Sequence, residues 1–280
     1  MDLDFGFART LYGVSLMVMA FITLLGYAVY FAAIWRSKTL QSRHLWLTSL
    51  ACGDIIMMVH LVIESLASLA VGYYPRHNLE CQVGALIGLF SGYVTIGSIT
   101  WIAIDRYYRL CKPEKVGENY CFYVIIVWGL SFLAASGPAL GFGTYESAQE
   151  NTVKCLIDLD NNDVNTRIYI LLVAAVWFVY PIIKMIRYNR KLVQETKKPQ
   201  PMAVAVPLTF LLCYLPFAVY ASLKITVGLP KLNPVLVTSV YMLPKVISVV
   251  NPYLYMRSDP ELLAACRHAV GLATVEKKAE

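Results

Sequence analysis

The sequence contains seven apolar stretches, each about as long as a membrane-spanning helix. They lie near residues 11–35, 45–72, 82–104, 120–141, 168–187, 203–227 and 233–256. A helix of roughly twenty apolar residues crosses the hydrocarbon core of a bilayer, which is about 30 Å thick. With 58% hydrophobic and only 15% charged residues, the chain is also too apolar for an ordinary soluble domain of 280 residues. The sequence therefore predicts an all-α integral membrane protein, with one seven-transmembrane helix bundle over residues 1–280.

The distribution of positive charge predicts the orientation of this bundle. Segments 36–44, 105–119, 184–201 and 257–280 carry seventeen lysines and arginines, the outer segments carry six, and one lysine lies inside a span. Because basic connecting segments stay on the cytoplasmic side, we expect the N-terminus outside and the C-terminus in the cytoplasm. The net charge of +6 belongs mainly to this inner face, and so it does not indicate nucleic-acid binding.

Two cysteines are predicted at the outer surface of the bundle and a short helix at its inner surface. Of the seven cysteines, Cys81 and Cys155 fall at the outer surface, where oxidising conditions favour a disulfide between them. After the last span, Ser258 or Asp259 followed by Pro260 predicts a short amphipathic helix over 259–270 that lies on the inner membrane surface. Cys266 on this helix is a candidate for palmitoylation, with an ordinary buried thiol as the alternative.

One lysine, Lys245, lies inside the last apolar span, in the stretch LPKVISVVNPYLYM. An ammonium group in a membrane is energetically expensive, which makes it a hypothesis of function. A desolvated lysine favours its neutral amine, and a neutral amine attacks an aldehyde. The alternatives are an ion pair with an acidic ligand or a side chain that snorkels to the outer surface.

Several motifs occur in register with these spans: the outer cysteine pair, DRY at 105–107, CYLPF at 213–217 and NPYLY at 251–255. Together they resemble the rhodopsin-like class of G-protein-coupled receptors, including the family's spacing of twenty-four residues from Cys81 to Asp105. The resemblance implies an activation network that ends at a heterotrimeric G protein. Its members would be Asp105, Arg106, Tyr107, Asp54, Asn251, Pro252 and Tyr255, with Asp54 meeting Asn251 through water or sodium.

Within this class the chain resembles the animal opsins. Lys245 lies six residues before Asn251, the position at which opsins form a Schiff base with retinal. Trp128 and the residues that follow it have opsin-like spacing, and CLIDL at 155–159 is similar to the opsin segment that covers the chromophore. The resemblance implies retinal, 11-cis or all-trans, bound covalently to Lys245 in a pocket that includes Gly92, Tyr214 and Phe217.

A protonated Schiff base needs a carboxylate counterion, and here the chain departs from the visual pigments. Their span-three counterion position is Gly84 in this sequence. The candidates are Glu150, Glu146 and Glu64. Glu150 is favoured, since many non-visual opsins place this carboxylate in the same outer loop, and Glu150 lies five residues before Cys155.

Other departures lie in the regions that couple opsins to G proteins. Tyr214 replaces the usual span-six tryptophan, the tripeptide after span seven is Asp259-Pro260-Glu261, and no acidic residue begins span six. These features are closest in character to the non-visual peropsin and retinochrome-like opsins. A light-sensing receptor in the plasma membrane or a photoreceptor membrane is favoured. A retinal photoisomerase, which would make the chain an enzyme, and a chemoreceptor for an acidic ligand are the alternatives.

Overall fold

The chain is a bundle of helices in the computed structural model, which describes residues 2–35, 37–70, 79–115, 120–147, 155–161, 163–197, 201–230, 232 and 234–272. The helices are α1 (Asp2–Ile34), α2 (Lys38–Arg43), α3 (Leu45–Ala70), α4 (Leu79–Cys111), α5 (Tyr120–Ala135), α6 (Val164–Ala174), α7 (Tyr180–Thr196), α8 (Pro201–Val227), α9 (Pro234–Met256) and α10 (Pro260–Ala269). A π-helical turn, Ala175–Val179, joins α6 to α7, so that these form one continuous segment. Single 3₁₀ turns occur at Pro113–Lys115 and Pro138–Leu140.

Within the described residues, five helices are long and apolar enough to cross a membrane: Thr10–Ile34, Leu45–Ala67, Leu79–Cys111, Val164–Thr196 and Met202–Val227. The apolar helix Cys121–Ala135 is shorter. With α9, these make up the predicted seven-helix arrangement. Large apolar side chains such as Phe21 and Ile125 point outward from it, which is the pattern expected of a lipid-facing surface.

The long helices form a closed ring. α1 packs between α3 and α9, α3 packs on α4, α4 packs on α5 and α7, and α8 bridges α7 and α9. α4 is therefore the central helix, and its middle turns are almost continuously buried. Since α3 contacts α1, α4 and α9, polar side chains on the inner faces of these helices can interact far from water.

Local sequence explains where several helices begin and end. Asp259 is the N-cap of α10, where its side chain accepts hydrogen bonds from the backbone N–H groups of Glu261 and Leu262, and Pro260 takes the first helical position. α5 ends at Ala135 rather than near 141, because the chain turns at Pro138–Leu140 and leaves this turn through Gly141 at φ 90°.

A short hairpin covers the outer end of the bundle. β1 (Tyr145–Ser147) and β2 (Cys155–Ile157) are antiparallel, with Ser147 opposite Cys155. Cys155 forms a disulfide with Cys81 at the start of α4, as the sequence predicted. This bond fixes β2 against α4, above the interior of the ring.

Candidate functional site

Lys245 of α9 forms an ion pair inside the bundle. Its Nζ lies 3.1 Å from Oε2 of Glu64 on α3, and the two side chains are 18% and 6% exposed. A buried cation is stable only when a carboxylate or several hydrogen-bond acceptors accompany it. Glu64 is therefore the group that allows Lys245 to lie at this depth.

Glu64 has further polar partners on two helices, α1 and α3. The hydroxyl of Tyr12 on α1 donates a hydrogen bond to Oε1 of Glu64. On α3 itself, one turn earlier, Nε2 of His60 lies 3.7 Å from Oε2. The site thus combines an amine, a carboxylate, an imidazole and a phenol contributed by α1, α3 and α9.

These groups lie at one side of a cavity of about 540 Å³ in the interior of the ring. Gly92, Tyr214 and Phe217, all expected from the sequence to line a pocket, do line it. Most of the other lining side chains are apolar or aromatic, including Trp177 and Tyr241. Ligand pockets typically enclose about 300–1,000 Å³ and consist of apolar walls with a few placed polar groups. The cavity fits that description, with Lys245 and Glu64 as its charged groups among the described residues.

The hairpin covers one side of the cavity. Cys155, Leu156 and Ile157 of β2 all line it. The disulfide to Cys81 holds this strand in place, so the covering segment and the cavity belong to one covalently fixed unit.

The three candidate counterions differ in their placement. Glu64 lies at hydrogen-bonding distance from Lys245. Glu146 pairs through its backbone with Leu156 in the hairpin, and the favoured Glu150 lies outside the described residues. The geometry therefore supports Glu64, which the sequence ranked below Glu150.

His60 and Tyr12 are members of the site that the sequence analysis missed. His60 could have been found, because a histidine four residues before Glu64 occupies the same helix face. Gly84 of α4 makes room for it: a Cβ at position 84 would lie 3.0 Å from Cε1 of His60. Tyr12 offers no comparable signal, since it meets Glu64 only through the packing of α1 on α3.

A second polar cluster surrounds Asp54 of α3, ten residues before Glu64. Its Oδ1 accepts hydrogen bonds from Thr95 at 2.6 Å and Ser248 at 2.8 Å. Its Oδ2 accepts from Tyr27 at 2.6 Å and Asn251 at 2.8 Å. The contact with Asn251 is thus direct, where the sequence suggested water or sodium between the two side chains. Four donors saturate the carboxylate and join α1, α3, α4 and α9 at one point.

The C-terminal end of α4 carries three of the predicted activation residues. Asp105 accepts hydrogen bonds from Nε of Arg109, one turn further along, at 2.7 and 2.9 Å. The hydroxyl of Tyr107 donates to Oε1 of Glu195 on α7 at 2.7 Å. Glu195 also lies 3.8 Å from Lys112 through its other oxygen. An acidic residue near the end of α7, rather than at the start of span six, therefore connects to the DRY motif.

The remaining predicted residues lie at the junction of α9 and α10. Tyr255 is buried, and its hydroxyl has no hydrogen-bond partner among the described residues. Pro252 packs against α1, where a Cβ at Gly26 would come within 2.9 Å of its ring. Cys266 is buried against Met256, with Sγ 3.4 Å from the Met256 sulfur, and burial raises the pKa of its thiol. This geometry fits the buried-thiol alternative better than an exposed palmitoylation site.

Comparison with known proteins agrees with this architecture. Residues 26–255 match the family described as "7 transmembrane receptor (rhodopsin family)". The chain is 24% identical to "Rhodopsin, GQ-coupled" of Mizuhopecten yessoensis over 90% of its length, and 25% identical to "Rhodopsin" of Loligo forbesii over 89%. It spans 58% and 63% of the lengths of these two relatives.

The fold itself is that of a solved rhodopsin. The crystal structure of squid rhodopsin superposes with a TM-score of 0.83 at 21% identity, covering 95% of this chain and 86% of the squid chain. The predicted all-α seven-transmembrane fold is confirmed, whereas the closeness to peropsins and retinochromes stays a prediction. The chain belongs to the rhodopsin family of seven-transmembrane receptors, in which the relatives it matches here are animal opsins.

Proposed function

We propose that this chain is a light-sensing receptor that binds retinal as a Schiff base on Lys245, with Glu64 as its counterion. The observation that carries the proposal is the Lys245–Glu64 pair, 3.1 Å apart, beside an apolar cavity closed by the hairpin. Retinal supplies an aldehyde and a long apolar polyene. The amine and the cavity match these two parts, and the names of the relatives point to the same ligand class.

The role of Glu64 follows from charge. Condensation on Lys245 replaces an ammonium with a protonated imine, which carries the same positive charge at nearly the same place. A carboxylate that already neutralises the ammonium can neutralise the imine without rearrangement. The counterion would thus lie on α3 instead of on α4 or in the outer loop.

Light would act on this site by changing the shape of the bound chromophore. Isomerisation inside a closed cavity strains the walls, which include residues of α4, α8 and α9. These helices also carry the Asp54 cluster and the DRY motif. We propose that movement along them reaches the basic cytoplasmic surface and engages a heterotrimeric G protein, with the N-terminus on the outer side of the membrane.

The alternative of a retinal photoisomerase is favoured by one observation. Asp259 and Glu261, in the tripeptide that helps visual opsins couple, are bound within the chain. Arg43 lies 3.2 Å from Asp259 and 2.6 Å from Glu261, and His44 lies 3.2 Å from Asp259. Chromophore extraction before and after illumination, with nucleotide exchange followed in parallel, separates the two functions. Net release of 11-cis retinal without exchange would establish the isomerase.

The third possibility, a chemoreceptor for an acidic ligand, is not favoured. Lys245 already has a carboxylate partner, so an acidic ligand would have to displace Glu64 from it and leave that buried carboxylate with less compensation.

Borohydride trapping tests the central proposal. Protein mixed with retinal and then reduced should carry a retinyl group on Lys245, and Lys245→Ala should abolish both the adduct and the pigment spectrum. Lys224→Ala is the matched control, because Lys224 pairs with Asp160 at the outer end of α8 and does not line the cavity. An undiminished pigment in Lys245→Ala would refute the proposal.

A further inference from the structure

We infer that His60 carries protons for the formation and hydrolysis of the imine on Lys245, acting through Glu64 and water in the cavity. This inference rests on the proposed function, because it assumes that Lys245 condenses with an aldehyde. It adds a residue from α3, next to a glycine-lined face of α4, to the chemistry of the site.

The position of His60 brings an imidazole to the reacting amine. Nε2 of His60 is 3.7 Å from Oε2 of Glu64, and the same oxygen is 3.1 Å from Nζ of Lys245. The imidazole lines the cavity, and its side chain remains 17% exposed. It can therefore exchange protons with a water molecule in the cavity as well as with the carboxylate.

α4 is shaped to hold this ring. A Cβ at Gly84 would lie 3.0 Å from Cε1 of His60, and one at Gly88 would lie 3.5 Å from Cδ2 and Nε2. The imidazole thus occupies space that side chains at positions 84 and 88 would otherwise fill. At positions 84 and 88, the face of α4 that packs on His60 bears no titratable group. Among the described residues, the charged groups around His60 are Glu64 and Lys245, and Tyr12 contacts Glu64.

Imine formation requires proton transfers that the other groups perform poorly. The Lys245 nitrogen forms a bond to the aldehyde carbon while the carbonyl π bond opens, and one proton passes from nitrogen to oxygen to give the carbinolamine. The C–O bond then breaks, the nitrogen lone pair forms the C=N bond, and the oxygen leaves as water after taking a second proton. Counted from the Lys245 ammonium, which first gives up one proton, the balance is one ammonium and one aldehyde giving a protonated imine and one water.

The proton that the ammonium gives up must be held by a group that can return it to the leaving oxygen. An imidazole can both accept and donate a proton, which suits it to this task. Glu64 is committed as a carboxylate to the Lys245 cation and accepts a hydrogen bond from Tyr12. His60 as imidazolium can give the second proton to the leaving oxygen, and neutral His60 can take it back from water during hydrolysis.

The test compares forward and reverse rates in His60→Gln, using the full chain in lipid nanodiscs and retinal as the aldehyde. Formation is followed by timed borohydride trapping. Hydrolysis is followed in the same way after dilution into vesicles that take up the freed aldehyde. We expect both rates to fall by the same factor, about 100-fold, since general acid–base catalysis typically contributes 10²–10⁴. The fraction of imine at equilibrium should stay unchanged, and the rates should lose the pH dependence that titration of an imidazole gives them.

Equal slowing is the result that a purely structural contact would not give. If His60 only supported Glu64, the substitution would slow one direction more than the other and so change the fraction of imine at equilibrium. That result would overturn the inference. Unchanged rates in both directions also overturn it, while leaving the imine on Lys245 in place. If the wild type forms no adduct, the proposed function itself fails and the inference fails with it.

A second variant covers the case in which His60→Gln does not fold. Gly84→Ala keeps the histidine but pushes its ring, and it should slow both rates equally by a smaller factor. Gly129→Ala, where an added Cβ meets no heavy atom within 4 Å, is the control for a glycine substitution in a span. Matching rates for the two glycine variants overturn the inference.

Discussion

At the scale of single residues, the properties of the site depend on one carboxylate. Among the described residues, Glu64 is the acidic group in contact with Lys245. It is buried, so water does not screen the charges of the pair. At an effective dielectric constant of 20, two unit charges about 4 Å apart attract each other by about 4 kcal/mol. A protonated imine at Lys245 would lose stabilisation of that order without Glu64.

The first prediction concerns Glu64→Gln. The amide keeps the size of the side chain but removes its charge, so we expect the imine to become neutral at pH 7 and the pigment to absorb in the near ultraviolet. Lowering the pH or adding a small anion should restore visible absorption. Absorption spectra of the reconstituted pigment in the dark provide the measurement.

The control for this substitution is Glu80→Gln, on the exposed first turn of α4. It should leave the spectrum as in the wild type. A normal visible spectrum in Glu64→Gln would instead assign the counterion to Glu146 or Glu150 in the outer loop.

Residue identity could be predicted here more readily than residue pairing. Lys245 was found from the cost of a charge in an apolar span, and Glu64 was a candidate because a protonated imine needs a carboxylate. Their contact joins positions 181 residues apart and depends on how α3 and α9 rotate against each other. No periodicity within either helix contains that rotation, so the resemblance to opsins with a counterion in the outer loop decided in favour of Glu150.

At the scale of helices and turns, the sequence was most informative where a local rule applies. The cap formed by Asp259 and Pro260 has a signature within a few residues, and the helix there begins at Pro260. The end of α5 was harder to predict, because Pro138 also suits a kinked helix inside a membrane. The turn depends on a tertiary contact, since Tyr169 of α6 packs on Gly137 and donates a hydrogen bond to the carbonyl of Ala134.

That contact gives the prediction for this scale, Gly137→Ala. A Cβ at position 137 would overlap the ring of Tyr169, so α6 must move away from α5 or the hydrogen bond to Ala134 must break. Overpacking of this kind costs about 1–3 kcal/mol. We expect a lower thermal unfolding midpoint for the purified protein in detergent.

Gly129→Ala, within α5, serves as the comparison. No heavy atom lies within 4 Å of its added Cβ, and alanine favours the helix by about 0.5–1 kcal/mol. Its midpoint should equal or exceed that of the wild type. Equal midpoints for the two variants would show that Tyr169 yields without cost and that the corner between α5 and α6 is loosely packed.

At the scale of the whole molecule, the cavity and the DRY motif lie toward opposite ends of the same helices. α4 carries Gly92 on the cavity wall and Tyr107 near its C-terminal end. The buried Asp54 cluster lies between them and holds four helices together. Under the proposed function, a change of chromophore shape reaches the DRY motif only by displacing helices that these polar contacts hold in one arrangement.

The contact that most directly opposes such a displacement is between α4 and α7. Tyr107 donates to Glu195 at 2.7 Å, and Tyr188 packs its ring on Tyr107 with the centroids 5.5 Å apart. A receptor that opens its cytoplasmic side must separate the C-terminal ends of α4 and α7. The hydrogen bond to Glu195 then stabilises the resting arrangement, and its loss favours the open one.

The last prediction is that Glu195→Gln and Tyr107→Phe each raise nucleotide exchange in the dark. Glu195 is partly exposed, so solvent reduces the value of the bond to about 1 kcal/mol, which corresponds to roughly a fivefold shift in a two-state equilibrium. The double variant should add little to either single one, because both remove the same bond. Glu114→Gln, in the exposed turn after α4, should leave dark exchange unchanged. Nucleotide exchange on a reconstituted G protein, in the dark and under illumination, is measured for the wild type and all four variants. A wild type that responds to light while both single variants keep its dark rate would show that the α4–α7 contact survives activation, and the restraint would then have to lie in the Asp54 cluster.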